Sequence, residues 1–395
     1  MNILVIHETD LMKRVVFEIH FISEMLSMRG HNVYAIDYES LWERGGLISK
    51  EQELRMARSY KESTATLIRP SFIKIPVLSR ISATVSHYYA IKEAIQKYKI
   101  DIIILYSVPT NGLQTLYLAK KFNIPVIFRS IDILNQLTPK ILSGITKTLE
   151  KRVYSKVELV LTLNDNLSNY VKKLGAKKVE VLPLGVDAKV FHPNINSSNE
   201  KARWLIKDTD KVILFVGTLY KFSGLDNLIE AFPKVLRQIP NAKLLIVGNG
   251  EQRGKLDKLI AGYKLWDKVI ITGYEPYDLM PNYINMATVC VNPTVSCEAT
   301  NKIFPTKVLQ YMACGKPVIA TKLDGLKDMI GIGNGVCYVD DTIENKITTL
   351  LVKQELIDFI GQRALKYVRE NHSYDNLMLD LENILRRVKS EHSIN

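Results

Sequence analysis

The sequence predicts two α/β domains, each wound around a mainly parallel sheet, with a ligand-binding cleft between them. Three observations predict this. The chain has 395 residues, more than one hydrophobic core usually organises, so two domains of roughly 180–200 residues are expected. Short apolar, β-branched runs alternate with amphipathic segments of helical period, which is the rhythm of a parallel sheet with helical crossovers. That rhythm stops at a polar stretch, 192–211, and then restarts. The first domain is expected over 1–190 and the second over 191–373, with a terminal helix, 374–395, packing back on the first. Ligands of doubly wound sheets bind beyond the carboxyl ends of the strands, and with two domains the cleft between them is the expected place.

The first strand is the run Ile3-Leu4-Val5-Ile6. A helix follows over 15–29, where Val15, Val16, Ile19, Ile22, Met25 and Leu26 recur at helical spacing and Gly30 stands where a C-cap belongs. Strands are expected at 33–36, 100–105 and 126–129, with a helix over 116–122 between the last two. A strand over 157–163, a helix over 165–174 closed by Gly175, and a strand over 179–182 complete the half. In the second half, strand 212–216, helix 225–238 and strand 243–247 restart the pattern. Strands at 269–272, 288–292 and 317–320 follow, with helices between them. The amphipathic segment 374–388 forms the core of the last helix.

Composition narrows the class. A hydrophobic content of 47% with only 14 prolines is that of a globular chain without a disordered segment. The four cysteines, Cys290, Cys297, Cys314 and Cys337, form no CxxC pair, and no histidine cluster has metal-ligand spacing. They read as buried free thiols of a reducing compartment. Ile3–Ile6 begins a strand rather than a signal peptide, and no run of about 18 apolar residues occurs. The chain is therefore expected in the cytoplasm, peripheral at most on the inner face of the cell membrane. A net charge of +12 asks for an anionic partner: nucleic acid, a membrane surface or a phosphorylated substrate. No nucleic-acid partner is expected, because there is no recognition motif and no aromatic-basic stacking platform. In residues 55–99, Arg55, Arg58, Lys61, Arg69, Lys74, Arg80, Lys92, Lys97 and Lys99 interleave with Leu67, Ile68, Phe72, Ile73, Ile75, Val77, Leu78 and Ile81. That mixture suits an anionic membrane surface, or equally a solvated helix face plus core residues.

Two loops offer chemistry. After the strand ending at Val216, Gly217-Thr218-Leu219-Tyr220-Lys221-Phe222-Ser223-Gly224 turns into a helix. Gly217 permits a tight turn, the helix N-terminus favours an anion, and Lys221 adds charge for phosphate. An ordinary βα loop would look the same. In the second, NPTVSCEATNKIFPTKVLQYMACGKPVIAT (292–321), Pro305 stands at a helix N1 position with Thr306 and Lys307 in the first turn. A lysine there is electrostatically unfavourable unless an anion is near. Gly248-Asn249-Gly250 reads as a strand-end turn, and Asp208-Thr209-Asp210 as a solvated turn rather than a metal site. HETDLMKR after the first strand lacks the glycines of a dinucleotide-binding dehydrogenase.

Several segments occur in a recognisable order: RGHNVYAID (29–37), GAKKVEVLPLGVDAKVFHP (175–193), FVGTLYKFSGLDNLIEAF (215–232), LLIVGNGEQRGKL (244–256), KVIITGY (268–274) and YMACGKPVIAT (311–321). Together they resemble the retaining glycosyltransferases of family 4, over nearly the whole chain. The resemblance implies the GT-B fold of two Rossmann-like domains facing a central cleft. It implies a hexosyltransferase-type enzyme of glycan or cell-envelope biosynthesis. Such an enzyme moves a sugar, with retention, from a nucleoside-diphosphate sugar to a glycan, lipid-linked or other hydroxyl acceptor. The family's diphosphate-gripping arginine and lysine are Thr218 and Ser223 here, so Lys221 and Lys307 are the catalytic cations expected to replace them. Its two glutamates are Lys302 and Gln310. Gln310 can still bond ribose hydroxyls, and Glu298 is left to hold the sugar. Gly217, Pro305 and Thr306 complete the donor loop, and the base is expected near Tyr274 and Glu275. No cofactor and no metal are expected, because cations and backbone N–H groups would stabilise the leaving diphosphate. On the acceptor side the implied residues are His7, Arg14 and Arg129, with Asp132 orienting an acceptor hydroxyl. His7 could equally be the polar end of its strand, and Arg129 and Asp132 could be a structural pair. Two other readings remain: an accessory subunit that binds but does not turn over, and a sugar-nucleotide epimerase.

Overall fold

A computed structural model describes residues 1–13, 16–39, 46–76, 78–302 and 304–394, without the side chains of Leu137, Lys140, Glu298 and Ala299. The chain divides into two compact units, Met1–Leu184 with Asn376–Asn395, and Gly185–Asp375.

The first unit runs β1 (Asn2–Ile6), α1 (Glu18–Met28), β2 (Asn32–Ile36), β3 (Gln52–Met56), β4 (Ala65–Arg69), α2 (Leu78–Tyr98), β5 (Ile102–Leu105), α3 (Gly112–Phe122), β6 (Val126–Ser130), α4 (Leu134–Leu137), α5 (Lys140–Tyr154), β7 (Leu159–Thr162), α6 (Asp165–Lys173) and β8 (Val179–Val181). Its eight strands are ordered β3-β4-β2-β1-β5-β6-β7-β8. All pair in parallel except β3 with β4. Alternate residues feed opposite faces, as the pleat requires. Ile3, Val5, Ile102 and Ile104 join one core, while Leu4, Ile6, Ile103 and Leu105 join the other. Strands buried on both faces are uniformly apolar, which is why β1 and β5 are visible as runs. The pair β3/β4 is not foreseen: QELRM is a polar edge strand with no such run.

The second unit runs α7 (Ser198–Arg203), β9 (Lys211–Val216), a 3₁₀ turn (Lys221–Ser223), α8 (Leu225–Gln238), β10 (Ala242–Val247), α9 (Arg253–Gly262), β11 (Val269–Gly273), a second 3₁₀ turn (Tyr277–Leu279), α10 (Met280–Met286), β12 (Val289–Asn292), α11 (Glu298–Asn301), α12 (Lys307–Ala313), β13 (Val318–Thr321), α13 (Asp324–Ile330), β14 (Val336–Val339), α14 (Ile343–Leu351) and α15 (Gln354–Asn371). The last helix, α16 (Tyr374–Ile394), puts Leu377, Met378, Leu381, Leu385 and Val388 into the first unit's core. The second sheet is wholly parallel, in the order β11-β10-β9-β12-β13-β14. Among the parallel strands of each sheet the order reverses once, between β1 and β5 and between β9 and β12. Loops leaving those strands diverge at their carboxyl ends and open a crevice.

The basic-apolar stretch 55–99 is divided: Ile73, Ile75, Leu78 and Ile81 are exposed. Leu67, Ile68 and Phe72 are buried, and Arg69 bridges Asp37 Oδ1 at 2.9 Å and Asp10 Oδ1 at 2.8 Å. Arg55 and Arg58 donate to the backbone carbonyls of Ser63 and Leu11, and Val77 lies outside the described residues. All four cysteines are free thiols, but only Cys290 and Cys314 are buried; Cys337 is intermediate, and Cys297 is exposed, against expectation. Among the described residues no helix is long and apolar enough to cross a membrane.

Candidate functional site

In the second unit the loops after β9 and β12 meet at their switch point. Gly224 has φ +70°, and a Cβ there would lie 1.9 Å from the Pro293 carbonyl oxygen. The turn after β10 closes on the same loop. Gly217 and Gly248 have φ +145° and +146°, and a Cβ at 248 would lie 2.0 Å from the Gly217 carbonyl oxygen. Only glycine tolerates both the dihedral and the approach. The Leu219 N–H donates to the Asn249 carbonyl at 3.1 Å, and the Lys221 N–H to Glu251 Oε1 at 3.0 Å.

Lys307 stands over this loop. Tyr311, one turn further along α12, is buried, and its hydroxyl accepts from the Val216 N–H at 2.8 Å. That contact pins α12 to the end of β9. The Lys307 amine lies 3.9 Å from the centroid of the Phe215 ring and 3.0 Å from where a Gly217 Cβ would be. Lys307 is half-buried as a residue, and desolvation of the amine pulls its pKa down to about 7. Among the described residues the amine has no carboxylate or hydrogen-bond partner, only the ring face. A lysine desolvated without a counter-ion beside a glycine loop is a place for an anion.

The other expected donor residues are placed unevenly. Thr218 follows Gly217 at the loop mouth and is partly exposed. Lys221 is exposed in the 3₁₀ turn, and no contact joins it to Lys307. The Ser223 hydroxyl is buried and donates to the Tyr220 carbonyl at 2.7 Å, so it serves the turn. Pro305 and Thr306 precede Lys307; Thr306 is the N-cap, which moves Pro305 one residue outside the helix rather than at N1. Gln310 donates through Nε2 to the Tyr277 hydroxyl at 3.0 Å, keeping its carbonyl oxygen as an acceptor. Burial holds the Tyr277 phenol neutral. Sequence reading passed over Tyr277; its position three residues beyond Tyr274 was the available signal. Tyr274 is 77% exposed, and Glu275 pairs with Arg203 at 3.0 Å. The Glu298 side chain is outside the described residues.

In the first unit the corresponding crevice is framed by His7 after β1 and Tyr106 after β5, whose rings are 5.7 Å apart. Burial and then the neighbouring His20 lower the His7 pKa to about 3, so the ring is neutral, and among the described residues its buried Nδ1 has no partner. The Tyr106 hydroxyl is likewise buried and, among the described residues, without a partner. Arg129 corrects an expectation. It is 1% exposed and chelates Glu18, with Nε 3.2 Å from both carboxylate oxygens, while Nη1 donates to the carbonyls of Thr162 (3.2 Å) and Leu182 (2.7 Å). It is a strut between α1, β7 and the end of β8, not an acceptor ligand, and its acid is Glu18 rather than Asp132. Asp132 is half-buried, and burial, then the nearby Glu18 charge, raises its pKa to about 6. Arg14 lies outside the described residues.

Two family models match the chain: Glycosyltransferase Family 4 over residues 19–190 and Glycosyl transferases group 1 over residues 196–367. An uncharacterized glycosyltransferase of Methanocaldococcus jannaschii is 31% identical over 53% of this chain and 54% of its own length. A GDP-mannose-dependent alpha-(1-6)-phosphatidylinositol monomannoside mannosyltransferase of Mycobacterium tuberculosis is 27% identical over 53% of this chain and 56% of its own. The matches thus span little more than half the length of these relatives. The sucrose-phosphate synthase of Thermosynechococcus elongatus superposes with a TM-score of 0.76 at 19% identity, covering 99% of both chains, and fixes the fold as GT-B. The chain belongs to the group 1 glycosyl transferases, with a family 4 N-terminal half.

Proposed function

We propose that this protein transfers a sugar, with retention and without a metal, from a nucleoside-diphosphate sugar to a hydroxyl acceptor on a lipid-linked or glycan carrier at the inner face of a membrane. Residues 191–373 hold the donor and residues 1–190 the acceptor. The observation that carries the donor half is the Lys307 amine, desolvated and, among the described residues, without a counter-ion against Gly217. As the anomeric C–O bond breaks, negative charge grows on the leaving diphosphate, and a cation already stripped of water stabilises it without reorganisation. The bound diphosphate in turn keeps that amine protonated. Lys221 reaches the same phosphates from the exposed side of the loop, with the Gly217 and Thr218 backbone lining it. Gln310 and Tyr277 receive the ribose and Tyr274 flanks the base. Asp132 orients the acceptor hydroxyl in the first unit. A mycobacterial relative described as GDP-mannose-dependent and acting on a phosphatidylinositol mannoside supports both the donor class and a lipid-linked acceptor.

Turnover is the test. Purified protein in chelator is given UDP-, GDP- and ADP-sugars with lipid and saccharide acceptors. Nucleoside diphosphate release with one donor, and a product of the donor's own anomeric configuration, is the expected outcome. An inverted product contradicts retention. Binding of a nucleotide without release under any acceptor would favour an accessory subunit.

A further inference from the structure

The first sheet is closed on its two faces by helices of opposite character. On one face lie α1 and α16, with three basic residues against six acidic ones. On the other lie α2, α3, α5 and α6, whose inner residues Ile91, Leu118, Val153 and Val171 share a single core. These four helices carry eleven lysines and arginines against three acids. One of the acids, Glu150, is buried and accepts from the Leu134 N–H and from Tyr170.

The basic helices form one layer. A Cβ at Gly112 of α3 would lie 2.9 Å from Val153 of α5, and the rings of Tyr88 on α2 and Tyr117 on α3 are 6.3 Å apart. Because their inner sides rest on the same sheet face, their outer sides form one surface. Out of it stand Ile81, Val85 and Tyr89 of α2, Tyr117 of α3, and Ile141 and Ile145 of α5, all exposed, Ile141 at 87%. On α3 and α5 every exposed charge among the described side chains is basic: Lys120, Lys121, Lys147, Lys151 and Arg152. Isolated apolar residues on a surface are ordinary; a band of them across three adjacent helices is not.

We infer that the outer surface of α2, α3 and α5 seats the protein on an anionic lipid bilayer. The isoleucines and Val85 enter the boundary between headgroups and acyl chains, and the flanking cations lie over the lipid phosphates. The aliphatic side chains select this partner. A nucleic acid would occupy the cations and leave Ile141 and Ile145 in water, and a second copy would bring two basic faces together. The surface goes beyond the donor site and lies wholly in the first unit, so either can fail without the other.

Co-sedimentation of the full chain with phosphatidylcholine vesicles, with and without phosphatidylglycerol, tests it. Binding is expected only with the anionic lipid, weaker at high salt. Ile141→Asp with Ile145→Asp should lower the bound fraction about tenfold or more, from lost apolar burial. Leu379→Asp, on the exposed side of α16, should leave it unchanged. An unchanged urea midpoint shows that the double variant is folded, and retained nucleotide binding separates this result from failure of the donor site. No binding to anionic vesicles, binding indifferent to the isoleucine changes, an equal loss in Leu379→Asp, or a dimer that the double variant dissociates would each overturn the assignment.

Discussion

Arg129 and Lys307 each place a positive charge at the carboxyl end of a parallel sheet, one in each unit, and their surroundings are opposite. Arg129 has a carboxylate and two backbone carbonyls around its guanidinium. Lys307 has the face of Phe215 and a glycine loop. A cation whose donors are all engaged inside the protein is scaffold, because nothing external can use it without breaking the interior. A cation stripped of water and given no carboxylate costs stability in the free protein. That cost is recovered only when an anion arrives. Position at a sheet's carboxyl end therefore does not distinguish strut from site; the counter-ion does.

The largest effect that can break the contrast is on stability. Arg129→Ala leaves Glu18 charged in the interior and the Leu182 carbonyl without its Arg129 donor, at a cost of about 3–5 kcal/mol, read as a lower urea midpoint. Lys307→Ala should leave the midpoint unchanged or raise it below pH 7. The folded-state pKa of this lysine, about 7, lies beneath its ordinary value of 10.5. Between those values the unfolded chain binds more protons, so this residue's contribution to stability rises with pH across that window and is absent from the alanine variant. Equal losses in the two variants would make Lys307 a second strut.

Ligand affinity should follow the same amine. Binding of a nucleoside diphosphate should weaken as pH rises above 7, by up to about tenfold per unit, because the free protein must then take up a proton to bind. Calorimetry in buffers of different ionisation enthalpy reads that proton directly. A pH-independent affinity would remove Lys307 from the site. The smallest expected effect is at Gln310, where Gln310→Ala should cost roughly threefold to tenfold in nucleotide affinity, the size of one neutral hydrogen bond.

The fold was legible wherever strands are buried on both faces. Ile102–Leu105 is apolar at every position, and such a run has few other uses. The polar edge strand β3 and the helix α5 escaped notice for the opposite reason: their sequences are those of surfaces, and only pairing with β4 or packing of Val153 and Tyr154 reveals them. Lys307 was legible because its place in a helix start is local to the sequence. Arg129 was misread because its partner, Glu18, is 111 residues away and no local pattern links them. Of the apolar residues in stretch 55–99 that suited a membrane surface, Leu67, Ile68 and Phe72 are core, while Ile73, Ile75, Leu78 and Ile81 are exposed. The more uniformly basic surface lies on α3 and α5, where charge and apolar residues are spread over separate segments.

The most direct measurement is calorimetric titration of UDP, GDP and ADP into the native protein and Lys307→Ala, in metal-free buffer near pH 7. Selective binding of one nucleotide, weakened about tenfold to hundredfold in the variant as for loss of a charged hydrogen bond, is the predicted result. A folded native protein that binds none of the three, or a variant that binds as tightly as the native chain, would contradict the assignment of Lys307 as the anchor of the donor diphosphate.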